Sequence, residues 1–223
     1  MPLDALRTVD PYKAEWVTLL FVAILAALAW TNISSPRKWR LLAQAAFRMR
    51  LGKQVLREEA VLRDRTFIGL LLVAVAVVAL FLWQAAGGEH GLAAYGMLAG
   101  TIVLALAAHI IGVQFTGWLF QGDGGLHEHL ATGLLLFILT AIVLLPITLL
   151  GAYRAEWRPA LVLVGTVAVL ALLAYRWLRG MAIGVGERVP LPCIILYLCA
   201  AEAVPLAFLW TGLLEPHSAR PHP

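Results

Sequence analysis

The chain has 223 residues, of which 61% are hydrophobic and only 13% charged, against about 25% charged in soluble domains. So little polar surface cannot coat a water-soluble globule, which makes a bilayer the solvent that suits the chain. The formal net charge of +4 does not indicate nucleic acid, because the basic residues stand beside apolar runs, where they set topology and meet phosphate headgroups.

A hydrocarbon core of about 30 Å takes about 20 apolar residues as a helix. The first qualifying run covers residues 16–33. Its flanks are acidic before and basic after, the reverse of a signal peptide, so an uncleaved span is expected. The segment 36–65 follows. Arg37, Arg40, Gln44 and Arg48 fall at helical spacing on one stripe, and Trp39, Leu42, Ala46 and Met49 on another. In a second register near Gly52, Arg50, Lys53 and Arg57 oppose Leu51, Val55 and Leu62. This is the pattern of an amphipathic helix lying in the headgroup plane, with Arg37, Lys38, Arg40, Arg48, Arg50, Lys53 and Arg57 toward anionic lipid or a partner.

The second run, 67–86, carries no charge, and the third, 92–113, contains His109, with Gln114 just beyond it. The connection after it reads DGGLHEH, from Asp123 to His129. Asp123, His127 and His129 are metal-ligand types, but positions two apart do not share a helix face, so a polar turn and helix start is the simpler reading. The fourth run, 130–150, is interrupted by Pro146, which predicts a kink. The fifth, 159–178, has Arg176 near its end.

The sixth run, 190–214, contains Glu202. Counted from the start of that run, Glu202 lies about 16 Å deep, near the midplane. An ionised carboxylate there costs about 2.5–3.5 kcal/mol. It can stay protonated, or face a polar cavity or a cation. Cys199 precedes it by three residues, and Pro205 deprives the Ala201 carbonyl of its helical donor. Cys193 and Cys199 are separated by a helical rise of about 9 Å, too far for a disulfide. Tyr197, Cys199, Glu202, His109 and Gln114 are thus the intramembrane polar candidates. His109, some 10 Å off in depth, is the residue to test as a water-linked partner of Glu202. Six tryptophans, Trp16, Trp30, Trp83, Trp157, Trp177 and Trp210, fall near span ends as interfacial anchors.

The expected architecture is therefore all-α and integral to the membrane: six transmembrane helices in one domain, plus the interfacial helix. Nine Lys and Arg lie between the first two spans, from Arg37 to Arg65. Placing that segment in the cytoplasm puts twelve basic residues inside and five outside, with both termini outside.

Three motifs stand in order between and within these runs: KQVLREE (Lys53 to Glu59), GWLF (Gly117 to Phe120) and LYLCAAEAVP (Leu196 to Pro205). Together they resemble an uncharacterised integral membrane family of Bacteroidota, domain of unknown function 4271. The last motif is the most specific of the three, and the resemblance runs from the first span to the last. It implies an inner-membrane protein of a two-membrane bacterium and brings no activity. Members of that family tend to carry a lysine in the third span and more basic residues after GWLF. Here His109 stands near the first place and QGDGGLHEH follows GWLF, so the resemblance assigns no fixed cation there.

No phosphate-binding loop, nucleophile elbow, paired aspartates or heme-spaced histidines are present, and no cofactor is called for. Three function classes stay open. One is an accessory, assembly or structural component that docks on a membrane-protein partner or a second copy. Another is a small proton- or ion-coupled carrier using Glu202 and His109. The third is an intramembrane lipid-modifying enzyme built on Cys199 and Glu202.

Overall fold

In hydrocarbon every backbone N–H and C=O must find its partner within the segment itself, which leaves the helix as the form for an apolar run. The computed structural model describes residues 12, 14–34, 65–88, 91–120 and 126–186, and among these all regular structure is helical. Five long helices appear in order: α1 (Glu15–Ser34), α2 (Arg65–Ala85), α3 (Gly91–Phe120), α4 (Leu126–Tyr153) and α5 (Arg158–Gly186). A 3-10 turn, Ala155–Trp157, joins the last two. All five are long and apolar enough to cross a membrane.

The helices outrun the apolar stretches read from the sequence. α3 continues to Phe120 and α5 to Gly186, because helical hydrogen bonding does not stop where the hydrocarbon does. Pro146 sits inside α4 without ending it and is exposed, so its ring points away from the packed face. The sixth run, 190–214, and the basic segment 36–65 lie outside the described residues, apart from Arg65 at the head of α2.

α2 and α4 form the centre. They pack along each other, α1 and α3 lie against α2, and α5 lies against α4. Leu70, Ala74, Val77 and Phe81 of α2 meet Leu134, Ile138, Ala141 and Leu144 of α4, joined by Ile24 of α1 and Val113 of α3. Alanine recurs at these contacts, and small side chains let helix axes approach closely where lipid supplies no hydrophobic drive. Gly165 of α5 takes this furthest: a methyl group there would stand 2.7 Å from Cζ of Phe81.

The outward sides of α3 and α5 are different. Met97, Leu104, Ile111 and Trp118 on α3, and Leu163, Val167, Leu170 and Leu178 on α5, are exposed. The hydroxyls of Thr101 and Thr166 on these helices each donate to the carbonyl four residues back, at 2.8 Å. A hydroxyl satisfied within its own helix can face acyl chains.

Between α2 and α3 the chain turns sharply. Gly87 takes φ 92° and Gly88 φ 69°. Gly88 N–H donates to the Trp83 carbonyl at 3.0 Å and Gly87 N–H to that of Gln84 at 3.1 Å, the paired closure that ends a helix on a left-handed residue. Gly88 is also required sterically, since a Cβ there would lie 2.6 Å from the ring of Tyr12.

Candidate functional site

Polar side chains of the described helices collect in two layers at opposite ends of the bundle. The first surrounds Tyr12. Gln84, at the last turn of α2, is buried and cannot go unpaired there. Its Nε2 donates to the carbonyl of Thr148 at 3.0 Å. Tyr12 Oη donates to the carbonyl of Gln84 at 3.2 Å. The guanidinium of Arg158 lies 3.7 Å from the centre of the Tyr12 ring, a cation over a π face. Its Nε donates to the Gly151 carbonyl at 3.1 Å.

Beneath this, the indole of Trp83 is held between Tyr12 at 5.1 Å and Trp16 at 5.0 Å, and Trp16 reaches Tyr95 at 5.5 Å. Tyr12, α1, α2, α3, α4 and α5 thus all contribute to one cluster. Trp83 was expected to be an interfacial anchor, but it is 1% exposed; it belongs to the interior. Trp30 and Trp157, exposed, have the outward setting that anchoring needs.

The second layer is smaller. Nη2 of Arg176, on α5, lies 3.1 Å from Nε2 of His109, on α3. The two helices flank α4, and the guanidinium crosses α4 at Gly133: a Cβ there would stand 3.0 Å from Nη2 and 3.1 Å from Cζ. An arginine has donors and no acceptor. His109 Nε2 is therefore the acceptor and carries no hydrogen, which leaves the proton of a neutral imidazole on Nδ1. We expect Gly133→Val to push the guanidinium off this saddle and lower stability by about 1–2 kcal/mol. A thermal-melt series in detergent should then show Arg176→Gln adding little to Gly133→Val.

The spacing of the two layers carries information. Arg158 and Arg176 are eighteen residues apart on α5, and Gly151 and Gly133 eighteen apart on α4. Each separation is a rise of about 27 Å, close to the thickness of a bilayer's hydrocarbon core. The two clusters stand about that far apart along these helices, and the hydroxyls of Thr101, Thr140 and Thr166, which lie between them, are each bonded within their own helix.

The sequence candidates distribute as follows. His109 is half-buried and joined to Arg176. Gln114 is exposed on α3 and takes no part in that pair. His127 and His129 fall in the first turn of α4, with side chains outside the described set. Asp123, Tyr197, Cys199, Glu202 and Pro205 lie outside the described residues, as do Arg37, Lys38, Arg40, Arg48, Arg50, Lys53 and Arg57. Among the described residues no group of three or more His, Cys, Asp or Glu side chains gathers as a metal site.

Four participants were not singled out from the sequence as site residues: Tyr12, Gln84, Arg158 and Arg176. Gln84 had a usable signal, being an amide in a run otherwise free of strong polar groups. Arg176 had one too. α3 and α5 run in the same direction, and each residue of the His109–Arg176 pair sits eighteen positions from the start of its helix.

Neither the curated proteins nor the solved structures offer a match to this chain. The family model does: the domain of unknown function DUF4271 matches residues 17–213. That stretch takes in all of α2 to α5, nearly all of α1, the His109–Arg176 layer and all of the first layer but Tyr12 and Trp16, so the chain belongs to the DUF4271 family.

Proposed function

We propose that this chain is a non-enzymatic accessory or assembly component of a complex in the inner membrane of a two-membrane bacterium. In this reading it crosses the bilayer six times, with both termini outside. The segment 36–65 lies on the cytoplasmic face against anionic headgroups. The observation that carries the reading is how the described polar groups are used. Gln84, Thr148, Tyr12 and Arg158 bond to one another or to nearby backbone. The cleft among the described helices, between Leu28, Leu70, Val77, Ile138 and Leu145, is aliphatic. What these helices offer outward is apolar side: the exposed flanks of α3 and α5, suited to lipid or to another spanning helix.

A second reading, a proton- or ion-coupled carrier, draws on one observation, the His109–Arg176 contact inside the spans. Ionisable groups in membrane helices are functional candidates by default. The two readings separate on purification. We expect the tagged protein, extracted in mild detergent from its own membranes, to bring a membrane-protein companion in fixed ratio. The purified chain alone, in vesicles, should then carry no proton flux. Flux that His109→Gln or Glu202→Gln abolishes would sink the accessory role and establish the carrier.

A further inference from the structure

We propose that the rim where α4 passes into α5 binds a zwitterionic phospholipid with a primary amine in its headgroup, of the phosphatidylethanolamine type. The inference goes beyond the accessory role and does not depend on it. α4 ends at Tyr153, two residues past Gly151 of the Tyr12 layer. Trp157 N–H then donates to the Arg154 carbonyl at 3.2 Å, closing one tight turn ahead of α5. Tyr153, Arg154, Glu156 and Trp157 are all exposed there, at the level of one edge of the hydrocarbon.

Each of the four has bonding capacity left over. The Tyr153 hydroxyl lies 3.3 Å from that of Thr18 on α1; one hydrogen serves that bond, and the other is left to donate. The Arg154 guanidinium, the Glu156 carboxylate and the Trp157 indole N–H have no partner among the described residues. Arg158, the neighbouring cation, is turned inward on the Tyr12 ring and the Gly151 carbonyl.

Charge complementarity selects the occupant. Arg154 and Glu156 carry opposite charges two residues apart, and a headgroup that also carries both signs answers them together. A phosphate accepts from guanidinium, hydroxyl and indole N–H. A primary ammonium donates to Glu156, and the face of Trp157 favours the same cation. A purely anionic headgroup sets its charge against Glu156, and a quaternary amine has no N–H to give it. The apolar part has a place as well. α1 and α4 each pack on α2 rather than along each other. The aliphatic cleft between them begins at Leu145, eight residues before Tyr153 and so about 12 Å below it. One leaflet is about 15 Å, half of the hydrocarbon core, so an acyl chain hung from the rim ends in that cleft.

The test is the thermal midpoint of the full chain, delipidated in detergent, on adding phosphatidylethanolamine, phosphatidylcholine or phosphatidylglycerol in mixed micelles. Phosphatidylethanolamine should raise Tm by roughly 3–8 °C, and the other two by less than half as much. Arg154→Gln should remove most of the gain. Glu156→Gln should abolish the preference and bring phosphatidylglycerol level or ahead. Both residues are exposed, so the lipid-free midpoint should stay within about 1–2 °C of wild type, which separates loss of the site from loss of the fold. Equal gains with all three lipids, or a gain that both variants keep, would overturn the proposal. So would an equal rise with soluble phosphoethanolamine, which would make the ligand a free phosphate ester and not a lipid. A protein companion lost from Arg154→Gln, with no lipid preference in wild type, would assign the rim to that partner and overturn it as well.

Discussion

Replacing Trp83 with alanine is expected to cost about 3 kcal/mol, the largest loss of any single substitution in the described bundle. Burying a tryptophan in a soluble core is worth about 3–5 kcal/mol against alanine. In a bilayer much of the transfer term disappears, because lipid is as apolar as the interior. What survives is dispersion contact and the void left behind. Trp83 is 1% exposed and touches both Tyr12 and Trp16, so its removal opens a gap where three elements meet. The same change should loosen the hold on Tyr12 and with it the Arg158 contact. Limited proteolysis near the start of α1 should speed up alongside the fall in Tm. A Trp83→Phe variant should retain more than half of the stability, since one ring still fills the slot. Equal losses for alanine and phenylalanine would show that the indole shape, and not the filled volume, matters.

The second large effect is expected at Gly165. There the Phe81 ring occupies the space that a side chain would take, and Ile147 Cγ2 stands 3.4 Å from the Cβ position. Phe81 is itself 4% exposed, so it has nowhere to go. Gly165→Val should therefore separate α5 from the α2–α4 pair, at about 2–3 kcal/mol for overpacking. Gly165→Ala should show a smaller loss in the same direction. A compensating Phe81→Leu in the valine background should restore part of it. If the paired variant melts no higher than Gly165→Val alone, the ring is not the obstacle. Gly69, where nothing lies within 4 Å of an added Cβ, is the control, and Gly69→Ala should leave Tm unchanged or raised.

Much of this architecture is legible in the chain itself, for a physical reason. Hydrocarbon permits so few backbone arrangements that an apolar run of the right length is already a helix. The five described helices cover the first five such runs to within one residue. Side-chain partners are another matter. Trp83 and Trp157 both stand near span ends in the sequence, yet one is buried and the other exposed. An indole at that depth serves a lipid boundary or an aromatic cluster equally well, and only the neighbouring helix decides.

Gly165 shows the same limit. It is one glycine among several, without a repeat to mark it, and its role depends on a ring eighty-four positions away. His109 and Arg176 were more readable than this. Counting each from the start of its apolar run or of its helix puts them at one depth, a match passed over when His109 is weighed against Glu202 alone.

The grip of Arg158 on Tyr12 also imposes an order on biogenesis. The tyrosine leaves the ribosome about 146 residues ahead of the arginine that closes over it, an interval of roughly 7–30 s at typical synthesis speeds. Throughout that interval the head of the first helix lacks its latch. Until α5 begins to emerge, Tyr12 has only its partners on α2, Gln84 and Trp83, to rest on.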